Sequence, residues 1–269
     1  MHSEYSHYTN TSARARQARK KSLTDKHIRA ALTAIGFALL FCCMGLSRVV
    51  VRLLHVPEAD RGLMRFLFSY CNISYIGYPI VQALFGMDAS FYVTVIVLCS
   101  QLLMWSYGVH LVSGHGKFHL SWSIFKNHCL IAPLTAYAIY LTGLQVSDLV
   151  ASICSFIGQT TSPLIMLITG SALALMPLQK VFTNGKLYMM YTVKLVILPV
   201  CAYFLLRALG VDSMLLGVIV VVLCIPSATN ATNIAYLYGG NHELASSGVM
   251  LSTLLSMFTL PALMQLLFG

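Results

Sequence analysis

Negative charge is what this sequence has least of: Asp and Glu together number 8 in 269 residues. Glu4, Asp25, Glu58, Asp60, Asp88, Asp148, Asp212 and Glu243 all fall in the N-terminal tail or at turns between long apolar runs. The runs therefore hold no paired carboxylates for acid–base chemistry and no acid for a proton relay or cation site. Cysteine is present but unorganised. Cys42, Cys43, Cys71, Cys99, Cys129, Cys154, Cys201 and Cys224 lie inside the apolar runs with no CxxC pair, and read as small packing residues. His115 and His119 are four apart but sit in a Gly-containing loop with no third ligand nearby, which reads as solvated loop. Neither a nucleophile elbow nor a phosphate loop occurs, so no enzyme, cofactor or metal is expected. Residues 1–29 are long and polar before any apolar run begins, so no signal peptide is evident.

Charge of both signs amounts to 9% of the chain, against 58% hydrophobic residues. Soluble domains carry roughly a quarter charged residues, because even a well-filled core needs a polar surface around it. Lipid removes that need. No Asp, Glu, Lys or Arg occurs in 66–87, 89–116, 127–147, 149–179, 213–242 or 244–269; Asp88, Asp148 and Glu243 punctuate them. A shorter run covers 30–47, and 187–206 is interrupted only by Lys194. A spanning helix needs about 20 mostly apolar residues. These runs predict an all-α integral membrane protein with eight transmembrane helices, a to h in chain order. The expected organisation is a basic polar tail (1–29), helices a–c (30–113), helices d–e (124–175) and helices f–h (187–269). The net charge of +9 does not imply a nucleic-acid partner, because Arg14, Arg16, Arg19, Lys20, Lys21, Lys26 and Arg29 concentrate in the tail.

Loop charge sets the expected orientation. Arg48, Arg52, Arg61, Arg65, Lys117, Lys126, Lys180 and Lys186 follow spans a, c and e, whereas Arg207 alone marks the opposite side beyond the tail. The positive-inside rule places the loops after a, c, e and g in the cytoplasm, in a multi-pass protein of the cytoplasmic membrane. The basic tail then falls on the disfavoured side.

Two spans differ from lipid-facing helices. Span b contains Asn72-Ile73-Ser74-Tyr75-Ile76-Gly77-Tyr78-Pro79, and span g contains Pro226-Ser227-Ala228-Thr229-Asn230-Ala231-Thr232-Asn233. Amides, hydroxyls, Gly and Pro at mid-membrane depth predict local unwinding, with the freed backbone groups facing protein or a hydrated cavity. Pro133, Pro163, Pro199 and Pro261 lack such company and read as kinks. Leu84-Phe85-Gly86 closes span b and Leu237-Tyr238-Gly239 closes span g, each followed by a small-residue start, Ala89-Ser90 and Ala245-Ser246. An odd number of spans separates b from g, so the two units cross in opposite directions. This predicts an inverted repeat with its site where two broken helices meet.

Asn72, Gly77 and Pro79, followed by Gln82-Ala83-Leu84-Phe85-Gly86, resemble a pattern of the auxin efflux carrier family. Gly170-Ser171-Ala172-Leu173-Ala174, Lys194 with Pro199, Pro226 through Tyr238-Gly239, and Ser252-Thr253-Leu254-Leu255-Ser256 running into Leu260-Pro261 resemble its later segments in the right order. Bacterial members resemble malate or malonate permeases. The resemblance implies ten helices as two inverted five-helix repeats, crossed broken helices in a moving transport domain, and a homodimer. Spans d–h supply one complete repeat but a–c only three helices. The expectation is thus a truncated form lacking the family's first two helices.

The residues expected to bind substrate are Asn72, Gly77 and Pro79 from span b, with Pro226, Asn230 and Asn233 from span g. Broken-helix N-termini present unpaired N–H groups and positive dipole ends that suit a carboxylate, and asparagine adds donors without a buried charge. Gln82 and Thr229 either join this set or only cap the broken ends. Lys194 has two readings: a counter-charge for an anion, or a lysine whose stem snorkels to the interface. The function expected is a secondary transporter of small organic anions, elevator-type, with lipid around it. A non-transporting remnant or a membrane-embedded structural protein is the alternative, and a membrane enzyme is less favoured.

Overall fold

The computed structural model describes residues 26–113, 128–142, 144, 146–174 and 184–269, and every regular element among them is helical. The basic tail up to residue 25, the segment with His115, His119, Lys117 and Lys126, and Lys180 lie outside the described residues. The chain runs through α1 (Lys26–Leu53), α2 (Glu58–Ser69), α3 (Ile73–Phe85), α4 (Met87–Ser113) and α5 (His128–Thr142). It continues through α6 (Asp148–Ala174), α7 (Gly185–Ala208), α8 (Ser213–Cys224), α9 (Asn230–Leu237) and α10 (His242–Phe268). Among the described residues α1, α4, α7 and α10 are long and apolar enough to cross a membrane alone. Pro133, Pro163 and Pro261 lie inside helices, as their isolated positions predict.

Spans b and g are each two short helices end to end, α2 with α3 and α8 with α9. The boundaries differ from the sequence reading in two respects. Arg61 and Arg65 sit in α2, not in a loop: Pro57 fixes the entry, and Glu58 and Asp60 occupy the first turn where the helix dipole favours acids. The charges of this amphipathic segment disguise a helix that enters the membrane from a polar end. Secondly, the break in span b falls at Tyr70–Asn72, ahead of Gly77 and Pro79. Pro79 lies inside α3, directly after the π turn Ile73–Gly77, whose shifted hydrogen-bond register accommodates its missing N–H. Helix α1 also begins within the segment expected to be tail, and Arg29 donates to the Tyr140 carbonyl oxygen (2.6 Å).

Lipid is as apolar as a leucine side chain, so burial of hydrocarbon does not drive these helices together; close packing and interhelical hydrogen bonds do. Large side chains such as Phe41, Phe156, Phe204 and Phe258 accordingly face outward. Inside, Phe66, Leu67, Tyr70, Leu187, Tyr191, Ile234 and Val249 form one core among α2, α7, α9 and α10. Val81, Val93, Ile96, Ile219 and Ile225 form a second among α3, α4 and α8. Helix α5 packs on α4 and α1, and α6 touches α10.

Helices α2 and α4 approach so closely that a Cβ on Gly62 would collide with the backbone carbonyl of Leu111, whereas one on Gly45 of α1 would meet nothing. Gly62→Ala is expected to cost about 1–3 kcal/mol through overpacking. Gly45→Ala is expected to be neutral or stabilising by up to about 1 kcal/mol through helix propensity. Thermal midpoints of the two variants in detergent should move in opposite directions; equal shifts would contradict this packing.

Candidate functional site

The two breaks meet. Tyr70 and Ile225 leave the helical region for extended backbone, and Cys71 pairs with Ser227 as an isolated antiparallel bridge. Asn72 N–H donates to Pro226 O (2.9 Å) and Ala228 N–H donates to Tyr70 O (3.0 Å). Two helices broken in water could leave these groups to solvent; in a membrane each break supplies the other's partners. Gly77 lets the strands close, because a Cβ there would strike the Ile225 side chain.

Behind the bridge lies a polar knot. The Ser227 hydroxyl donates to Leu67 O and accepts from Lys194 Nζ (3.0 Å), with Tyr191 Oη also within hydrogen-bonding distance (3.1 Å). Lys194 Nζ donates again to Leu67 O (2.7 Å), and Ser227 N–H donates to Ser252 Oγ (3.1 Å). Leu67 O is one of the last carbonyls of α2, which the break has deprived of its helical donor. Lys194 is 1% exposed. It therefore does not snorkel: its π turn, Val193–Ile197, directs the side chain inward to the crossing. There it satisfies the negative end of a broken helix.

In front of the bridge, Cys71, Asn72, Ile73, Ser74 and Tyr75 from the break and first turn of α3 face Ala228, Thr229 and Asn230 from the start of α9, with Ser100, Gln101 and Met104 of α4 closing the side. The cavity is partly open and measures about 20 Å³, room for about one water. The starts of both half-helices border it. Helices α7, α8 and α10 are capped by the side chains of Asn184, Asp212 and Asn241, but α3 and α9 have no side-chain cap. At α9 the first turn is partly satisfied, because Ala231 N–H donates to Ala228 O (3.1 Å) and Thr232 N–H to Thr229 O (3.3 Å), so the start of α3 is the larger source of N–H groups for whatever fills the cavity. The Asn72 side chain is 6% exposed, and its amide has no hydrogen-bond partner among the described residues. Asn230 Nδ2 makes only a weak contact with Met104 Sδ (4.0 Å).

Of the residues expected from sequence, Asn72, Thr229 and Asn230 line this cavity. Pro226 and Gly77 shape the crossing without lining it. Gln82 lies further along α3, where Nε2 donates to Ser90 Oγ (2.9 Å); Pro79 and Asn233 are exposed on helix surfaces; Lys194 stands on the far side of the bridge. Sequence reasoning missed Ser74, Tyr75, Ser100 and Gln101. The adjacent Ser100-Gln101 pair inside the charge-free run of span c was a usable signal. Gln101 Oε1 accepts from Trp105 Nε1 (3.1 Å), which fixes its amide beside the cavity.

A family model described as membrane transport protein matches residues 117–264, more than half of the chain. The chain belongs to the auxin efflux carrier and membrane transport protein family. The match takes in Lys194, the second break and α9, while Asn72 and the first break precede it. No curated protein matches the chain. Membership of this transport family and the apolar helices make it a membrane transporter.

Proposed function

We propose that this member of the family carries small organic carboxylates across the cytoplasmic membrane by an elevator-type motion. The observation that carries the proposal is the pair of uncapped half-helix starts with the unpartnered Asn72 amide at one cavity. Donors and positive dipole ends converge there with no acid beside them, an arrangement that favours an oxyanion and offers a cation little. The cavity has room for about one water, so a carboxylate is accommodated only when its walls move apart. Helices α1–α4 and α7–α10 form the moving domain, which the shared cores and the paired breaks hold together. Helices α5 and α6 belong to a scaffold through which two copies associate as a homodimer. The left-handed glycines that close the second half-helices, Gly86 (φ 80°) and Gly239 (φ 75°), support reading the two units as an inverted repeat.

Purified full-length chain in liposomes tests the substrate class. Radiolabelled malate, malonate and indole acetate are expected to enter saturably and to exchange with internal carboxylate. Saturable uptake of a cation with no carboxylate flux would overturn the assignment.

A further inference from the structure

Arg48 near the end of α1 and Arg65 in α2 both donate to one oxygen, the hydroxyl of Tyr107, at 2.9 and 2.6 Å. Two guanidiniums on one neutral oxygen repel each other. Neither pairs with a carboxylate among the described residues, and Arg65 keeps a buried Nε with no partner. The arrangement is held from several directions. Tyr107 lies in the π turn Met104–Gly108 of α4, the close approach at Gly62 brings α2 against that helix, and Gly108 leaves room for the Phe66 and Tyr70 rings. What such a cluster lacks among the described residues is an anion: one carboxylate accepting from both forks would relieve the repulsion and satisfy the orphaned donor.

Its position gives the anion a route. Tyr107 follows Met104, a cavity residue, by three positions, about 4.5 Å of helix rise, and Arg65 precedes the break at Tyr70 by five, about 7.5 Å. Arg48 is exposed at the end where Lys186 Nζ donates to His55 O (2.8 Å). This end gathers the basic residues, whereas Arg207 stands at the other end of α7. We infer that Arg48 and Arg65, gathered on Tyr107, form a carboxylate-binding site one helical turn outside the cavity, the first stop for substrate arriving from the basic face. The inference rests on the carboxylate reading above for its ligand, but the cluster and its binding are separable from flux.

The test uses full-length chain in neutral phosphatidylcholine discs, with Trp122→Phe leaving Trp105, two residues from Tyr107, as the fluorescent reporter. Malonate titration is expected to give saturable quenching that persists in Arg207→Gln, which removes a cation at the opposite end of α7. It is expected to weaken at least tenfold in Arg65→Gln and in Arg48→Gln, with partial recovery in Arg65→Lys. Tyr107→Phe serves as a second variant that keeps both charges: it is expected to loosen binding several-fold without loss of thermal stability. Unchanged malonate affinity in stable Arg48→Gln and Arg65→Gln proteins would overturn the site. So would a response that appears only when anionic phospholipid is present, which would make this a headgroup phosphate site. Binding that stands while liposome flux is absent would sink the transport reading and leave the anion site supported.

Discussion

Ser227→Ala is expected to lower stability by about 3 kcal/mol, and by clearly more than Lys194→Met. The two substitutions dismantle the same knot from different sides. Removing the serine hydroxyl takes an acceptor from Lys194 Nζ and from Tyr191 Oη and leaves both polar heads in a site that is 0–1% exposed. A hydrogen bond to a lysine head contributes about 1.5–3 kcal/mol and one between neutral groups about 1, and buried groups left without partners add their own penalty. Removing the lysine head is different. Leu67 O keeps the Ser227 hydroxyl as donor and Ser227 keeps Tyr191, so no acceptor is stranded, and the cost of burying an amine disappears with it. Lys194→Met is therefore expected to shift stability by about 1 kcal/mol in either direction. The pair of variants also separates the two readings of Lys194. A clamp on the crossing predicts carboxylate affinity within about threefold of wild type in Lys194→Met, with a slower maximal rate. A counter-charge predicts that affinity collapses while the thermal midpoint stays. Thermal melts in detergent and binding titrations on the same preparations decide between them.

Much of this architecture was readable from the chain because lipid makes sequence rules strict. A charge-free run of about 20 residues has few fates, and polar groups with proline at mid-depth have fewer, since their backbone must find partners inside the protein. That logic located both broken spans and named Asn72, Thr229 and Asn230. It misplaced the break in span b, because proline and glycine were taken as the point of unwinding. Pro79 is accommodated inside α3 by the π turn Ile73–Gly77 that precedes it, and Gly77 is needed for its missing Cβ against Ile225, not for flexibility. The unwinding at Tyr70–Asn72 is imposed by tertiary pairing, Ala228 N–H donating to Tyr70 O and Asn72 N–H to Pro226 O, and no local signal announces that. Lys194 was ambiguous for a related reason. Whether a lysine two turns from an interface turns outward or inward depends on the π turn that carries it and on the stranded carbonyl of Leu67, which sits 127 residues away in sequence. Arg61 and Arg65 were assigned to a loop because an amphipathic half-helix at a membrane entrance looks, by charge alone, like the connection it follows.

The last expected result concerns the asparagines, where affinity should fall while stability changes little. Asn72→Ala retains the backbone N–H bond to Pro226 O and removes only a buried amide without a partner among the described residues. That amide fronts a cavity with room for about one water, so its loss is expected to leave the thermal midpoint little changed. The same amide, once it donates to a bound carboxylate, contributes about 1.5–3 kcal/mol, so its loss is expected to weaken affinity about ten- to a hundredfold. Asn230→Ala gives up only the 4.0 Å contact with Met104 and should show the same loss of affinity with little change in stability. Because the two amides come from different half-helices and face one cavity, their effects on affinity should multiply in the double variant unless the ligand touches only one. A charged or metal-binding role would not produce this pattern, since removing such a group would either leave carboxylate affinity alone or destabilise the fold. Carboxylate affinity and uptake unchanged in both single variants would remove these asparagines from the site while leaving the membership of the transport family untouched.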